Sequence, residues 1–166
     1  DKPYLYRASL LAKQGRFEEA KKDYEIIITK MPNSVENLNA YGKVLLALKD
    51  FEPALSFFKK ANLYDGSVPE VHFNLGNTYQ GLRQNEAAIA AFKKAIELNH
   101  NYGDAYKNLG NLYWDSKKMT LAIGCFERAI ALNGDEDFYT QGSYLMAKNY
   151  ICDWDGYQDR LLTFEN

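Results

Sequence analysis

The side chains in this sequence with the most chemistry to offer are amides. Asn74 and Asn77 recur as Asn108 and Asn111, 34 residues on, and Asn39 lies in the stretch before them. An asparagine side chain both accepts and donates hydrogen bonds. A spaced row of such amides can therefore bind the backbone of an extended peptide whatever its side chains. Lys43 and Lys107 lie among these amides, and Phe73 and Trp114 offer apolar anchors of the kind that dominate recognition surfaces. Asn is a mediocre helix former, and a bland exposed helix would more often carry Glu, Lys or Gln there. The second reading is that these amides bond to a neighbouring element and bind nothing.

Catalysis finds little support. There are two histidines, His72 and His100; His72 reads as packing and His100 as a turn residue. No HExxH, phosphate-binding loop, GxSxG or dinucleotide fingerprint occurs. Glu18-Glu19 and Asp153/Asp155 read as solvated helix ends and turns, so neither cofactor nor metal is expected. Cys125 and Cys152 have no CxxC partner or metal-ligand spacing and read as buried structural thiols, consistent with a reducing, cytoplasmic setting. A formal net charge of -2 argues against a nucleic-acid partner. No apolar run reaches the roughly 18 residues of a membrane span.

The elements that must position these residues come from a repeat. Residues 69–102 align without a gap on 103–136: NLGN falls on NLGN, Tyr79 on Tyr113, Ala88-Ile89 on Ala122-Ile123, Phe92 on Phe126 and Ala95-Ile96 on Ala129-Ile130. The same offset runs back through Tyr41-Gly42, Ala54, Phe58 and Ala61 to Ala20, Tyr24 and Ile27. This predicts four units, 1–34, 35–68, 69–102 and 103–136, followed by a capping helix and tail over 137–166. Within each unit, apolar residues recur at three- and four-residue steps on either side of a short polar turn, which predicts two helices. Gly42, Gly76 and Gly110 sit mid-helix, where glycine costs about 1 kcal/mol against alanine, so a close helix approach is expected there. Ala20, Ala54, Ala88 and Ala122 are the expected facing contacts, with Tyr24, Phe58, Phe92 and Phe126 filling the space toward the next unit. A helix pair cannot bury its apolar face alone, so the units must stack.

These residues, at these places and in four registers, resemble the tetratricopeptide repeat over about four fifths of the chain. The resemblance implies an all-α, right-handed α-solenoid of four helix-turn-helix units with a C-terminal capping helix. It also implies that first helices line a concave face, with their second, fifth, sixth and ninth residues in the groove. The expected peptide-binding groove is then Asn39, Lys43, Phe73, Asn74, Asn77, Lys107, Asn108, Asn111 and Trp114. Ser9, Glu36, Ala40 and Glu70 occupy further groove places. The cation cluster with which co-chaperone members of the family grip a C-terminal carboxylate is missing, because Asp104 and Glu70 stand where cations are needed.

The function expected is a non-catalytic scaffold or adaptor binding a protein or peptide. One alternative rests on Tyr144–Leu161: Asn149-Tyr150-Ile151, Cys152-Asp153-Trp154, Tyr157 and Arg160 resemble the junction between the repeats and the catalytic domain of the O-GlcNAc transferase and SPINDLY family. The chain would then be the substrate-selecting arm of a longer enzyme, and a fragment is the expectation. Another is self-association through solenoid ends, at Tyr4-Leu5-Tyr6 or the Trp154 tail.

Overall fold

The computed structural model describes residues 2–134 and 137–151, which hold nine α-helices and no strand. They are α1 (Lys2–Lys13), α2 (Phe17–Lys30), α3 (Val35–Ala47), α4 (Phe51–Tyr64), α5 (Pro69–Gly81), α6 (Asn85–Leu98), α7 (Gly103–Asp115), α8 (Met119–Asn133) and α9 (Phe138–Tyr150). The chain divides into two compact units, the first holding α1–α6 and the second α7–α9. The fold is the all-α stack of paired helices that the repeat predicts.

Each first helix ends in the same way. The residue fifteen places into each repeat has a left-handed backbone: Gly15 at φ 75°, Lys49 at 62°, Arg83 at 59° and Lys117 at 59°. The next amide bonds back five residues, as in Arg16 to Leu11 at 2.9 Å and Gln84 to Tyr79 at 2.8 Å. This is a Schellman closure, which satisfies the last carbonyls and turns the chain into the second helix. Three of the four turns place a long cation where glycine is easiest, so the fold imposes this backbone strain three times and avoids it only at Gly15.

The mid-helix glycines do permit a close approach, but to a different partner. A Cβ on Gly42 would stand 2.6 Å from the Phe58 ring, one on Gly76 2.5 Å from Phe92, and one on Gly110 2.6 Å from Phe126. The aromatic at the twenty-fourth place thus lies flush on the first helix of its own repeat and makes the nearest contact with the glycine. Ala20, Ala54, Ala88 and Ala122 are fully buried, as their size requires. The Phe58, Phe92 and Phe126 rings are 0% exposed. The first repeat has Ala8 in place of glycine and Tyr24 in place of phenylalanine, and Tyr24 stacks on Tyr41 of α3 at 6.1 Å between centroids.

Arg7, the other departure in the first repeat, donates to Asp23 of α2 at 2.7 Å and 2.5 Å. The Asp23 side chain is 4% exposed, the Arg7 side chain 61%. The bonds from Arg7 hold the Asp23 carboxyl below its ordinary range against the opposing effect of burial.

The last helix corrects the register. Helices α3, α5 and α7 begin 34 residues apart, at 35, 69 and 103, but α9 begins at 138. The cause is one extra residue in α8, which has 15 residues where α6 has 14. Asp137 marks the new start: its carboxylate accepts the Thr140 amide at 3.1 Å, as Ser34 accepts the Asn37 amide at the head of α3. The buried residues of α9 are therefore Thr140, Tyr144 and Ala147, and Phe138 is 62% exposed. With the extra residue counted, Tyr144 takes the place of Tyr41. Each donates its hydroxyl to a glutamate on the preceding helix, Glu127 at 3.0 Å and Glu25 at 3.3 Å.

Gly76→Ala should lower stability by about 2 kcal/mol in urea unfolding despite the better helix propensity of alanine, because the methyl must displace a packed ring. Made on a Phe92→Leu background it should cost less than half of that, since the ring is gone. Arg7→Ala should lower the urea midpoint at pH 7. The loss should shrink in acid: a carboxylate whose folded pKa is depressed contributes stability above its unfolded pKa and loses it as pH falls through the folded one, so midpoints of variant and parent converge as the pH drops below the ordinary carboxylate range.

Candidate functional site

The expected groove residues fall into two groups, one in each compact unit. In the first unit, Asn39 and Lys43 lie on α3, and Phe73, Asn74 and Asn77 on α5. The structure joins the two helices through their polar residues. The Asn74 side-chain amide donates to the Asn39 side-chain oxygen at 2.9 Å, and both residues are buried, 5% and 8% exposed. Lys43 bridges to Glu70 at 2.8 Å, with both side chains about half exposed. Phe73 is half-buried and lies 5.7 Å from Phe92, centroid to centroid. The α3–α5 seam is thus tied by one buried amide pair and one exposed ion pair, an arrangement that fixes the spacing of two first helices. Asn77 stands half-buried one turn beyond Asn74.

Next to this seam are two hollows that meet at Ala40. One, of about 340 Å³, lies between α1, α2 and α3, with Ser9, Ala12 and Lys13 on one wall, Phe17 and Tyr24 at its base, and Ala40, Lys43 and Val44 opposite. The other, of about 300 Å³, lies between α3 and α5, with Val35, Glu36, Asn39, Ala40, Lys43, Val68 and Glu70 around it. Ala40 opens both because it stands at the sixth place of its repeat, where Asn74 and Asn108 stand in theirs. A methyl group leaves space that an amide would fill.

Ala12, Lys13, Phe17, Tyr24 and Val44 were not among the expected groove residues. The signal for them was available in the small residues Ser9, Ala12 and Ala40, which cannot fill the space between two helices.

In the second unit, Lys107, Asn108, Asn111 and Trp114 lie on α7, all of them half-buried. Lys107 reaches Asp104 and Asp137 at 3.3 Å each. Burial pulls its pKa down, but the two carboxylates outweigh it and the pKa stands raised. Trp114 meets the Tyr150 ring of α9 edge-on at 6.5 Å. Tyr139, Met146 and Tyr150 of α9 are 61–69% exposed. The residue inserted in α8 puts Tyr139 and Met146 at the second and ninth places, groove places of a first helix, and Tyr150 one turn beyond Met146. The uninterrupted 34-residue offset hides them.

His72 is buried and its Nε2 lies 2.9 Å from the Gly66 carbonyl oxygen, a structural bond. Cys125 is half-buried rather than buried. Cys152, Asp153, Trp154, Asp155, Tyr157 and Arg160 lie outside the described residues, and so does most of the transferase-like junction. No group of three or more His, Cys, Asp or Glu side chains among the described residues could hold a metal ion, and no described helix is long and apolar enough to cross a membrane.

Comparison with known proteins follows the same lines. Tetratricopeptide repeat models match residues 5–67, 69–102 and 103–136. No curated protein sequence matches the chain. Among solved structures, a MamA protein is similar at 27% identity, with a TM-score of 0.81 over 93% of this chain and 84% of that one. PilF of Pseudomonas aeruginosa superposes with a TM-score of 0.85 at 19% identity, over 98% of this chain and 73% of that one. YrrB, described as a TPR protein with an unusual peptide-binding site, has a TM-score of 0.73 at 19% identity, over 91% and 77% of the two chains.

The buried amide pair predicts a specific pattern of coupling. Asn74→Ala strands the Asn39 amide in the interior and should cost about 2 kcal/mol in urea unfolding, and Asn39→Ala a similar amount. The double variant should cost at least about 1 kcal/mol less than the sum, because the second substitution removes a group already stranded. Strict additivity would mean that the pair does not form.

Proposed function

We propose a peptide-binding role on the premise that this chain belongs to the tetratricopeptide repeat family. The repeats make it a protein-interaction scaffold, and the finer reading is that an extended segment of a partner lies along the first helices of α1, α3 and α5. The observation that carries it is the pair of hollows meeting at Ala40, open beside a seam already tied by Asn39 and Asn74. An extended segment places alternate side chains about 7 Å apart, which suits two adjacent hollows on neighbouring helices. The amides at Asn39 and Asn74 bond to each other, so in this reading they hold the groove's spacing, while Asn77, Lys43 and Phe73 border it. Lys107, Asn108, Asn111 and Trp114 form an equivalent strip in the second unit. YrrB supports the reading to the extent that the same fold is described there with a peptide-binding site.

Self-association is the second reading. Tyr6 is 73% exposed in the first unit, and the second unit exposes Tyr139, Met146 and Tyr150 on one helix. Light scattering across concentrations tests it directly: a constant monomer mass removes it.

Panning a phage library of random dodecapeptides tests the groove. Peptides retained by the parent should be lost from Ala40→Asn, a residue that the sister repeats carry at this place and that leaves helicity intact by circular dichroism. The same peptides should be kept by Leu63→Asn, since Leu63 is 82% exposed on α4, away from both hollows. A drop in affinity of about tenfold or more at Ala40→Asn is expected. Equal retention by parent and Ala40→Asn refutes the groove.

A further inference from the structure

We infer that the segment held in the first unit carries an apolar side chain flanked by a carboxylate on the α1 side and by a cation on the α5 side. The inference rests on the groove reading above and adds the chemistry and polarity of its occupant. The two hollows share Ala40 and Lys43 but differ in everything charged. The one toward α1 is lined by Lys13 and Lys43, with no Asp or Glu among its lining residues, and by the apolar surfaces of Phe17, Tyr24 and Val44. The one toward α5 is walled by two carboxylates, Glu36 and Glu70. Lys43 and Glu70 are already bonded to each other at 2.8 Å. The charges left over are therefore a cation at Lys13 and an anion at Glu36. Glu36 is kept ionised by its own backbone amide and then by the Ser34 hydroxyl, which donates to it at 2.9 Å.

This arrangement selects its ligand in two ways. The apolar lining favours a side chain such as Phe or Leu, whose transfer from water drives binding without direction. The opposed charges then fix which way the segment runs, because the reversed segment would bring like charges together at both ends. Three extended residues span about 10 Å, the scale of the step from one first helix to the next. The charges belong about that far on either side of the apolar residue.

The test uses three fluorescein-labelled nonapeptides with a central Phe in a Ser/Ala background, read by anisotropy at low salt. One carries Asp on the N-terminal side of the Phe and Lys on the C-terminal side, one carries the reverse, and one carries Ser at both places. Both charge-split peptides should bind about tenfold tighter than the uncharged one, each running in the direction that brings its Asp toward Lys13. Lys13→Glu should abolish that preference, and Ala40→Asn should weaken every Phe-containing peptide. Raising salt should narrow the gap between the charge-split peptides and the uncharged one. Equal binding of all three, no binding of any up to about 1 mM, or a preference indifferent to Lys13→Glu overturns the inference. If dodecapeptides from panning are lost on Ala40→Asn while these three peptides are not discriminated, the inference fails and the groove stands. If Ala40→Asn changes neither assay, both fall.

Discussion

The close contact between a glycine and an aromatic ring sets the geometry of this molecule. Gly42, Gly76 and Gly110 each leave just enough room for Phe58, Phe92 or Phe126 to lie against the backbone of the first helix. That contact fixes how near the two helices of a repeat come and how they are rotated. With the rotation fixed, the same face of every first helix is turned away from its partner. The contact is demanding in both directions. A methyl on the glycine has nowhere to go, and a smaller side chain in place of the ring would leave a void that costs stability with its volume. The first repeat shows a different solution: alanine replaces the glycine, and Tyr24 stacks on Tyr41 of the following helix.

Much of this was legible in the sequence because periodicity reports which residues share a face. The helix pairs, their turns and the positions of close approach all follow from the 34-residue offset and the placement of small residues. The partner in that approach did not follow. Glycine and alanine both signal tight packing, and a one-dimensional pattern does not say which small residue meets which large one. The structure pairs the glycine with the ring. The end of the last clear repeat was harder to read. One added residue in α8 rotates every later helical position by about 100°, so an unbroken offset assigns the faces of α9 wrongly. The local signal that would have located its start is the Asp137 cap with Thr140 three residues on. A strong capping pair outranks a decaying repeat match.

The candidate groove was legible in part, for a related reason. Residue type identifies groups able to form hydrogen bonds but not whether they are already bonded. Asn39 and Asn74 have the composition of a recognition surface, and in the fold they satisfy each other in a buried pair. Lys43 and Lys107 have the composition of anion sites, and both are engaged with carboxylates. Empty space is announced only faintly, by small residues such as Ser9, Ala12 and Ala40. The hollows beside Ala40 are defined by a side chain that is small where its counterparts are not, and a missing amide leaves no motif.

The two roles of the sixth place explain one another. An asparagine there can reach the neighbouring first helix and pin the spacing, as Asn74 does to Asn39. An alanine there cannot, and it leaves the adjacent seam open. A row of asparagines along every repeat would tie every seam, and a row of alanines would leave nothing to hold their width. In the first unit the sixth places hold Tyr6, Ala40 and Asn74, so that the tie at α3–α5 stands directly beside the hollow at α1–α3, with the second hollow at the tied seam itself. The stiffness of the tied seam limits how far the open one can collapse, which is the condition for a hollow to survive in a stack held together by burial. A rigid hollow also spares a ligand the cost of ordering the site on binding. The buried amide pair and the alanine are thus two halves of one device, the first holding the helices apart and the second leaving the room between them.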